Sequence, residues 1–253
     1  MPHTAQSSTQ TLCSDLRTYL RENRIAADAF SCIHRDACRE AVERCGGSFT
    51  EASDTEVGDR YASASFKLVH VSIDPPAGWT EEQRRLADTG TEYLCKPYDE
   101  TLPRARTGHW YWLLRVAGPI LRAAGIATSD VEAHRYIVHT RAMRCSSNLP
   151  KGTSGPEALA HNCAEYLKGE LSLLRPSMVL TMGRFPERSL ERAFPDRPAS
   201  SNAHLRSLTL NGLEVPWIAM PHPTAFGRFH KVRNERLQEF CNRASAAAGT
   251  DTH

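Results

Sequence analysis

The sequence predicts an α/β protein with three layers, α/β/α, around a central, mainly parallel sheet of four strands. Two observations predict this class. Four short apolar runs have the composition of β-strands, and stretches with the apolar spacing of helices lie between them. Strands that alternate with helices usually form a parallel sheet that helices cover on both faces.

The predicted strands are 66–73 (FKLVHVSI), 136–140 (YIVHT), 178–182 (MVLTM) and 215–220 (VPWIAM). Helices are predicted over 112–124, which Gly125 closes, over 156–174, and in the segment after Phe185. Ligands of parallel sheets bind beyond the carboxyl ends of the strands. The loops that follow residues 73, 140, 182 and 220 are therefore the candidate sites.

Length and composition fit one large domain or two small ones, with 253 residues of which 40% are hydrophobic. We expect a single domain over 13–245, with polar, disordered tails at 1–12 and 246–253. No apolar run approaches the length of a membrane span, and the first ten residues lack the apolar core of a signal peptide. This predicts a cytoplasmic protein without membrane contact. The net charge of +2 does not by itself indicate binding to nucleic acid. Only a local cluster of positive charge would indicate it.

Two of the candidate loops carry residues suited to catalysis. Asp74 follows the first strand on a stiff Asp-Pro-Pro turn, where a carboxylate can orient water; the alternative is a turn residue that caps its own loop. His222 lies between two prolines after the last strand, and an aromatic residue and a basic run follow it: Phe226, Arg228, His230 and Lys231. This pattern suits a loop that presses against phosphates, although a lone histidine near a strand end is often structural.

The chain has eight cysteines, which in a reducing compartment more often serve metal binding than disulfides. Cys145 and Cys163 are too far apart in sequence for a self-contained zinc knuckle, but they can complete a four-thiolate site with two cysteines near the N-terminus. Cys32 and Cys38 are the nearest candidates, and Cys45 is a third. The alternative is that all of them are small buried hydrophobic residues.

Read together, these motifs resemble the uracil-DNA glycosylase superfamily, and most closely its iron–sulfur members, often called family 4. The densest match runs from 118 to 183. It contains the strand 136–140, which ends at Thr140, then Arg144-Cys145, Pro156-Glu157, Cys163 and a strand that ends at Gly183. His222-Pro223-Thr224 is similar to the family's His-Pro-Ser loop. The resemblance covers about three quarters of the chain.

The resemblance implies an enzyme that flips a nucleotide out of DNA and hydrolyses its N-glycosidic bond. Asp74 would then stabilise the positively charged sugar and position water, and His222 would donate a hydrogen bond to the leaving base or to a phosphate. Phe226 would act as a wedge in the base stack; local packing is its alternative role. A [4Fe-4S] cluster would be held by Cys145, Cys163 and two of the N-terminal cysteines, with zinc as the alternative metal.

Two departures from the family pattern bear on the base that is recognised. Arg141 stands where the family has a base-reading asparagine, and an arginine offers donors only, so it suits an acceptor-rich modified base better than uracil. The pocket aromatic is replaced by a segment that contains His109, Trp110, Tyr111 and Trp112. Tyr111 best matches the stacking position, and Trp110 and Trp112 are either pocket or core residues.

These features together predict a monofunctional DNA glycosylase for a modified or damaged pyrimidine, such as a hypermodified cytosine of phage DNA. A conventional uracil-DNA glycosylase is the first alternative, and a non-catalytic, metal-stapled DNA-binding module is the second. A small-molecule hydrolase is disfavoured because no Gly-x-Ser-x-Gly or Gly-x-Gly-x-x-Gly motif is present. DNA is the expected partner, and no obligatory protein partner is evident.

Overall fold

The computed structural model describes residues 3–51, 55–73, 95–96, 109–126, 129, 132–150, 156–196 and 202–249, without the side chains of 3–7, 95–96 and 109–110. The helices of this described part are α1 (His3–Glu22), α2 (Arg35–Arg44), α3 (His109–Ala123), α4 (Glu157–Leu174), α5 (Arg184–Ala193) and α6 (Phe226–Gly249). Its strands are β1 (Glu56–Gly58), β2 (Leu68–Ser72), β3 (Cys95–Lys96), β4 (Ile137–Arg141), β5 (Met178–Met182), β6 (Leu205–Leu210) and β7 (Leu213–Met220). Two 3-10 turns, Ala27–Ala29 and Ala133–Tyr136, complete these elements.

One mostly parallel sheet joins these strands in the order β3-β1-β4-β2-β5-β7-β6. The four strands predicted from sequence, now β2, β4, β5 and β7, are parallel and adjacent in its centre. The sheet has seven described strands, so the predicted number of four was too low. The additional strands lie at the edges, where β1 and β3 have only three and two residues and β6 mixes polar with apolar residues. Such short or mixed segments lack a clear strand pattern.

Helices cover both faces of the sheet, which confirms the predicted three-layer α/β/α class. Residues of α1, α4 and α5 pack with Val69, Val71, Val179 and Trp217 on one face. On the other face, α3 and α6 pack with the alternate residues of the same strands, such as Leu68, Leu180 and Ile218. The central strands are buried along both faces, which explains why each of them has apolar residues on both faces.

The structure differs from the sequence-based expectation at both ends of the chain. Residues 3–12, expected to be a tail, belong to α1, and residues 246–249 belong to α6. The start of α1 is polar, but Thr9 is buried and its hydroxyl donates a hydrogen bond to the carbonyl of Asp59 at 3.1 Å. Further along α1, Leu16 and Leu20 are buried in the core. Tertiary contacts therefore order a segment whose composition alone suggests a tail.

No helix in the described part of the chain is both long and apolar enough to cross a membrane.

Candidate active site

The carboxyl ends of the four parallel strands meet at one edge of the sheet, where the candidate residues were expected. β2 ends at Ser72, which pairs with Arg141 at the end of β4. β5 lies between β2 and β7, and its last residue, Met182, pairs with Met220. His222 follows β7, and Asp74 follows β2 in sequence but lies outside the described residues. The last described residue before Asp74 is Ile73, at this same edge.

His222 is held in one orientation by its own loop. The backbone N–H of Thr224 donates a hydrogen bond to Nδ1 of His222 at 3.2 Å, and the Thr224 hydroxyl lies 2.7 Å from the same nitrogen. A ring nitrogen that accepts a hydrogen bond carries no proton, so in the neutral ring the proton is on Nε2. Partial burial lowers the pKa of His222 below its ordinary value, which favours this neutral form. His222 therefore presents Nε2–H as a hydrogen-bond donor.

The loop after β5 passes directly against His222. Gly183 has φ +108, and its backbone N–H donates to the carbonyl of Met220 at 2.8 Å. A Cβ atom added to Gly183 would lie 3.3 Å from Cβ and 3.5 Å from Cδ2 of the histidine. Glycine at this position therefore satisfies two requirements, a left-handed backbone and close approach to the imidazole.

An aromatic cluster lies beside His222 at the start of α6. Phe226 is 61% exposed, its ring centroid is 4.2 Å from that of His230, and Trp112 of α3 contacts both rings edge-on at 5.9 and 5.1 Å. Trp112 also contacts the buried Phe229. Phe226 is thus both exposed and supported from behind, as a wedge residue requires. Arg228 and Lys231 are exposed on the same turns of the helix.

The aromatic residues predicted for the base pocket have different environments in the structure. Tyr111 is half-buried, contacts Trp112 edge-on with ring centroids 4.8 Å apart, and has the guanidinium of Arg115 over its ring at 5.2 Å. Trp112 packs against the core formed with α6. His109 and Trp110 begin α3, but their side chains lie outside the described part. Of the two open alternatives for Trp112, the packing favours a core position.

Arg141, predicted to read the base, is only 7% exposed and takes part in a buried polar network. Its Nη1 donates to the Ser72 hydroxyl at 2.7 Å, and its Nη2 lies 3.6 Å from Oε1 of Glu56. Its Nη1 also contacts Nε2 of His139, which in turn lies 3.0 Å from the Ser72 hydroxyl. The guanidinium therefore links the ends of β2 and β4 to β1. A direct contact between Arg141 and a base stays a prediction.

The four cysteines predicted as metal ligands line one cavity. Cys32, just before α2, and Cys38 on α2 face Cys145, from the loop after β4, and Cys163 on α4. Cys45, the third N-terminal candidate, is not among the lining residues. The structure thus brings together two pairs of thiols that lie more than a hundred residues apart in sequence, and of the three N-terminal candidates it places Cys32 and Cys38 at this cavity.

Hydrogen-bond donors surround the sulfur atoms of this cavity. Asn162 donates its Nδ2–H to Sγ of Cys38 at 3.2 Å, and the backbone N–H of His34 donates to Sγ of Cys32 at 3.4 Å. The backbone N–H of Arg144 donates to Cys163. Burial raises the pKa of the Cys163 thiol to about 11 and also raises that of Cys38. Without a cation the thiols of Cys38 and Cys163 therefore stay protonated, and the donors around the cavity would stabilise thiolates once a metal replaces the protons.

Four cysteine thiols are the kind of donor set that binds iron–sulfur clusters and structural zinc. Among the described residues, no three His, Cys, Asp or Glu side chains are grouped as ligands of one metal ion. In a [4Fe-4S] cluster each of four thiolates binds a different iron, so the sulfur atoms need to surround the cluster rather than converge on one ion. The cavity is small, about 10 Å³, so its walls must move apart to admit a cluster.

Sequence reasoning missed a buried ion pair behind this cavity. Arg144, which also lines the cavity, pairs with Glu170 of α4, and both side chains are almost fully buried. Thr140 donates to the Glu170 carboxylate at 2.9 Å, and Arg144 donates to the Thr55 hydroxyl at 3.1 Å. The available signal was the position of Glu170 within the apolar stripe of α4, where a charged residue is unexpected.

Fold and site together define a three-layer α/β/α protein with a histidine-bearing edge and a four-cysteine cavity beside it. No protein-family model matches the chain, and a search of curated proteins finds no match.

Proposed function

We propose that the chain is a monofunctional DNA glycosylase that flips out a modified or damaged pyrimidine and hydrolyses its N-glycosidic bond, leaving an abasic site. The observation that carries this proposal is the convergence of Cys32, Cys38, Cys145 and Cys163 on one cavity. The resemblance to the iron–sulfur uracil-DNA glycosylases requires this convergence, and neither composition nor the α/β/α fold does.

The geometry of His222 supports the chemistry of base release. Cleavage of the bond leaves negative charge on the departing base, and a hydrogen-bond donor aimed at that charge lowers the barrier. The neutral imidazole with its proton on Nε2 is such a donor, because Thr224 occupies Nδ1. His222 keeps this form at neutral pH since burial lowers its pKa. It would donate to the base through Nε2–H in its neutral form.

The carboxylate in this proposal is Asp74. It would stabilise the positive charge that develops on the sugar and orient the attacking water. Ile73, the residue before it, follows β2 at the edge of the sheet from which His222 also extends, with β5 between the two strands. A nucleotide bound between the ends of β2 and β7 would lie between His222 and the end of the strand that leads to Asp74.

Phe226 supports the proposal at the step of base flipping. Removing a base from the stack costs a few kcal/mol, and a side chain inserted into the gap offsets part of this cost. The exposed ring of Phe226 is backed by Trp112 and His230, so it can enter a gap without collapsing onto the protein surface.

The cysteine cavity would hold a [4Fe-4S] cluster, with zinc as the alternative. Bound there through four thiolates, the cluster would act as a structural crosslink and would leave no iron open to substrate. The chain's own contribution is to place the segment before α2 against the loop after β4. This loop begins where β4 ends, next to Ser72 and Ile73, because the backbone N–H groups of Ala142 and Met143 donate to their carbonyls.

Base release is the direct test. Anaerobically purified full-length protein is incubated with duplexes that carry a single uracil, 5-hydroxymethylcytosine or glucosylated 5-hydroxymethylcytosine, and released bases are identified by mass spectrometry. We expect release of a modified base and a loss of about 10²–10⁴-fold in rate for His222→Ala and Asp74→Ala. Release of uracil alone would indicate the conventional repair enzyme. DNA binding without release of any base would indicate the non-catalytic module, and would overturn the proposal.

A further inference from the structure

A groove with an excess of positive charge has His222 in its wall. It has a volume of about 530 Å³ and lies between α5, the β6–β7 pair and the start of α6. Four arginines and two histidines are among its lining residues: Arg184, Arg188, Arg206, Arg228, His204 and His222. Two carboxylates, those of Glu187 and Glu191, also line it. The groove therefore carries two more formal positive charges than negative ones.

Both carboxylates of the groove are held by a single arginine. Arg206 donates to Glu187 at 2.5 Å and to Glu191 at 2.7 Å, and its guanidinium lies 5.0 Å above the ring of Trp217. This packing fixes Arg206, which joins α5 to the sheet. Because Arg206 neutralises one of the two carboxylates and hydrogen-bonds both, the remaining arginines determine the sign of the field in the groove.

Two of those arginines, Arg184 and Arg228, have no carboxylate to neutralise them among the described residues. Both are exposed, Arg184 at the first turn of α5 and Arg228 at the first turn of α6. A third, Arg188, donates to Glu157 at 3.0 Å in an exposed surface pair that a stronger anion can displace. Exposed guanidinium groups with this freedom bind phosphates through two parallel hydrogen bonds.

From these observations we propose that the groove binds the sugar–phosphate backbone of a DNA strand, with Arg184 and Arg228 each contacting a phosphate. This inference rests on the proposed function, which it deepens by assigning the path of the bound strand. The position of His222 carries it, because this residue is both a wall of the groove and the donor of the candidate active site. A strand in the groove therefore runs directly into the site where a flipped nucleotide would bind.

The salt dependence of DNA binding measures phosphate contacts and tests the groove. The affinity of wild type, Arg184→Gln, Arg228→Gln and the double variant for a short fluorescein-labelled DNA duplex is measured by anisotropy over a range of NaCl concentrations. Each lost phosphate contact lowers the slope of log K against log salt by about 0.9. We expect this decrease for each single variant and about twice as much for the double variant. Unchanged slopes would overturn the proposal.

Two further variants separate the groove from general charge effects. Arg243→Gln removes an arginine of α6 that pairs with Glu214 far from His222, and it should leave the slope unchanged. Glu191→Gln removes one negative charge from the wall of the groove, and it should strengthen binding. A gain of affinity cannot result from misfolding. An equal loss of slope in Arg243→Gln, or weaker binding by Glu191→Gln, would count against the groove.

The nature of the anion is tested by competition. Inorganic phosphate, compared with NaCl at equal ionic strength, should not displace the duplex beyond the effect of salt. Specific displacement by phosphate that Arg184→Gln abolishes would identify a small-anion site and overturn the assignment to a DNA strand. Failure of this inference is distinguishable from failure of the proposed function. Base release by the wild type, with salt slopes that the arginine variants leave unchanged, would refute only the DNA path through the groove. Salt slopes that decrease in the arginine variants, without base release by the wild type, would refute only the glycosylase activity.

Discussion

The imidazole of His222 packs against the bare backbone of Gly183, so that a Cβ atom at residue 183 would come within 3.3 Å of Cβ of the histidine. The contact joins the loops after β5 and β7, two neighbouring parallel strands. His222 is therefore positioned from two sides, by Thr224 within its own loop and by Gly183 from the next strand. Both contacts help to fix the orientation of the imidazole ring and therefore the direction of its Nε2–H bond.

Gly183→Ala should slow base release and lower stability. The backbone at Gly183, with φ +108 and ψ 160, belongs to a region that only glycine adopts easily, and forcing another residue into it costs about 1–3 kcal/mol. The new methyl group also pushes against His222. Gly212→Ala is the matched control, since Gly212 has φ +79 in the β6–β7 turn with open space around it. Denaturant unfolding should show destabilisation in both variants, and base-release assays a defect in Gly183→Ala only.

His222 should titrate below its ordinary pKa of 6.5 in the folded protein, because partial burial disfavours the imidazolium. The unfolded chain then binds this proton more readily than the folded one. The contribution of His222 to stability is therefore highest above pH 6.5, decreases as the pH falls towards the folded pKa, and is constant below it. NMR titration of the ring protons gives the pKa directly. A value at or above 6.5, or equal pH dependence of stability in wild type and His222→Gln, would contradict this prediction.

Cys38→Ser and Cys163→Ser should lose bound metal, whereas Cys45→Ser should keep it. Cys38 and Cys163 line the cavity, whereas Cys45 follows the last residue of α2 and is not among the lining residues. The measurements are iron, acid-labile sulfide and zinc per chain after anaerobic purification, together with the visible absorption of the cluster. About four iron and four sulfide per chain would identify [4Fe-4S], and zinc without sulfide would identify the alternative metal. Metal that remains in Cys163→Ser and is lost from Cys45→Ser would refute the assignment of ligands.

The central sheet could be predicted because its strands are buried on both faces. β5 is apolar at all but one of its five positions, and its bounds match the predicted 178–182. By contrast, the segment 3–12 is polar and gives no helical signal of its own, and tertiary contacts such as that between Thr9 and Asp59 order it. The local pattern of apolar residues therefore predicts the elements that are buried in the core. It does not predict elements that are ordered by contacts with residues distant in sequence.

The candidate site likewise has features that the sequence predicts and features that depend on tertiary structure. The ends of parallel strands predict that the loop of His222 and the loop after β2 share an edge, because topology alone requires it. The choice of Cys32 and Cys38 over Cys45 required the orientation of α2, which the spacing of the cysteines leaves open. Arg141 shows the limit most clearly. Its position at the end of β4 followed from sequence, and so did the nearness of His139 two residues earlier on the same strand, but its partner Glu56 becomes a neighbour only when β1 pairs with β4.

The buried ion pair between Arg144 and Glu170 should be essential for stability and replaceable only as a pair. Removing one partner leaves a charge without compensation in the interior, so Arg144→Leu or Glu170→Leu should lower the free energy of unfolding by about 3–5 kcal/mol. The double variant should recover much of this loss, because apolar side chains of similar volume often replace a buried pair at little cost. Arg135→Gln breaks the more exposed pair with Asp59 and should cost only about 1 kcal/mol. Urea unfolding of the four variants measures these differences, and a double variant less stable than both single variants would show that the hydrogen bonds to Thr55 and Thr140, rather than the pairing of charge, dominate.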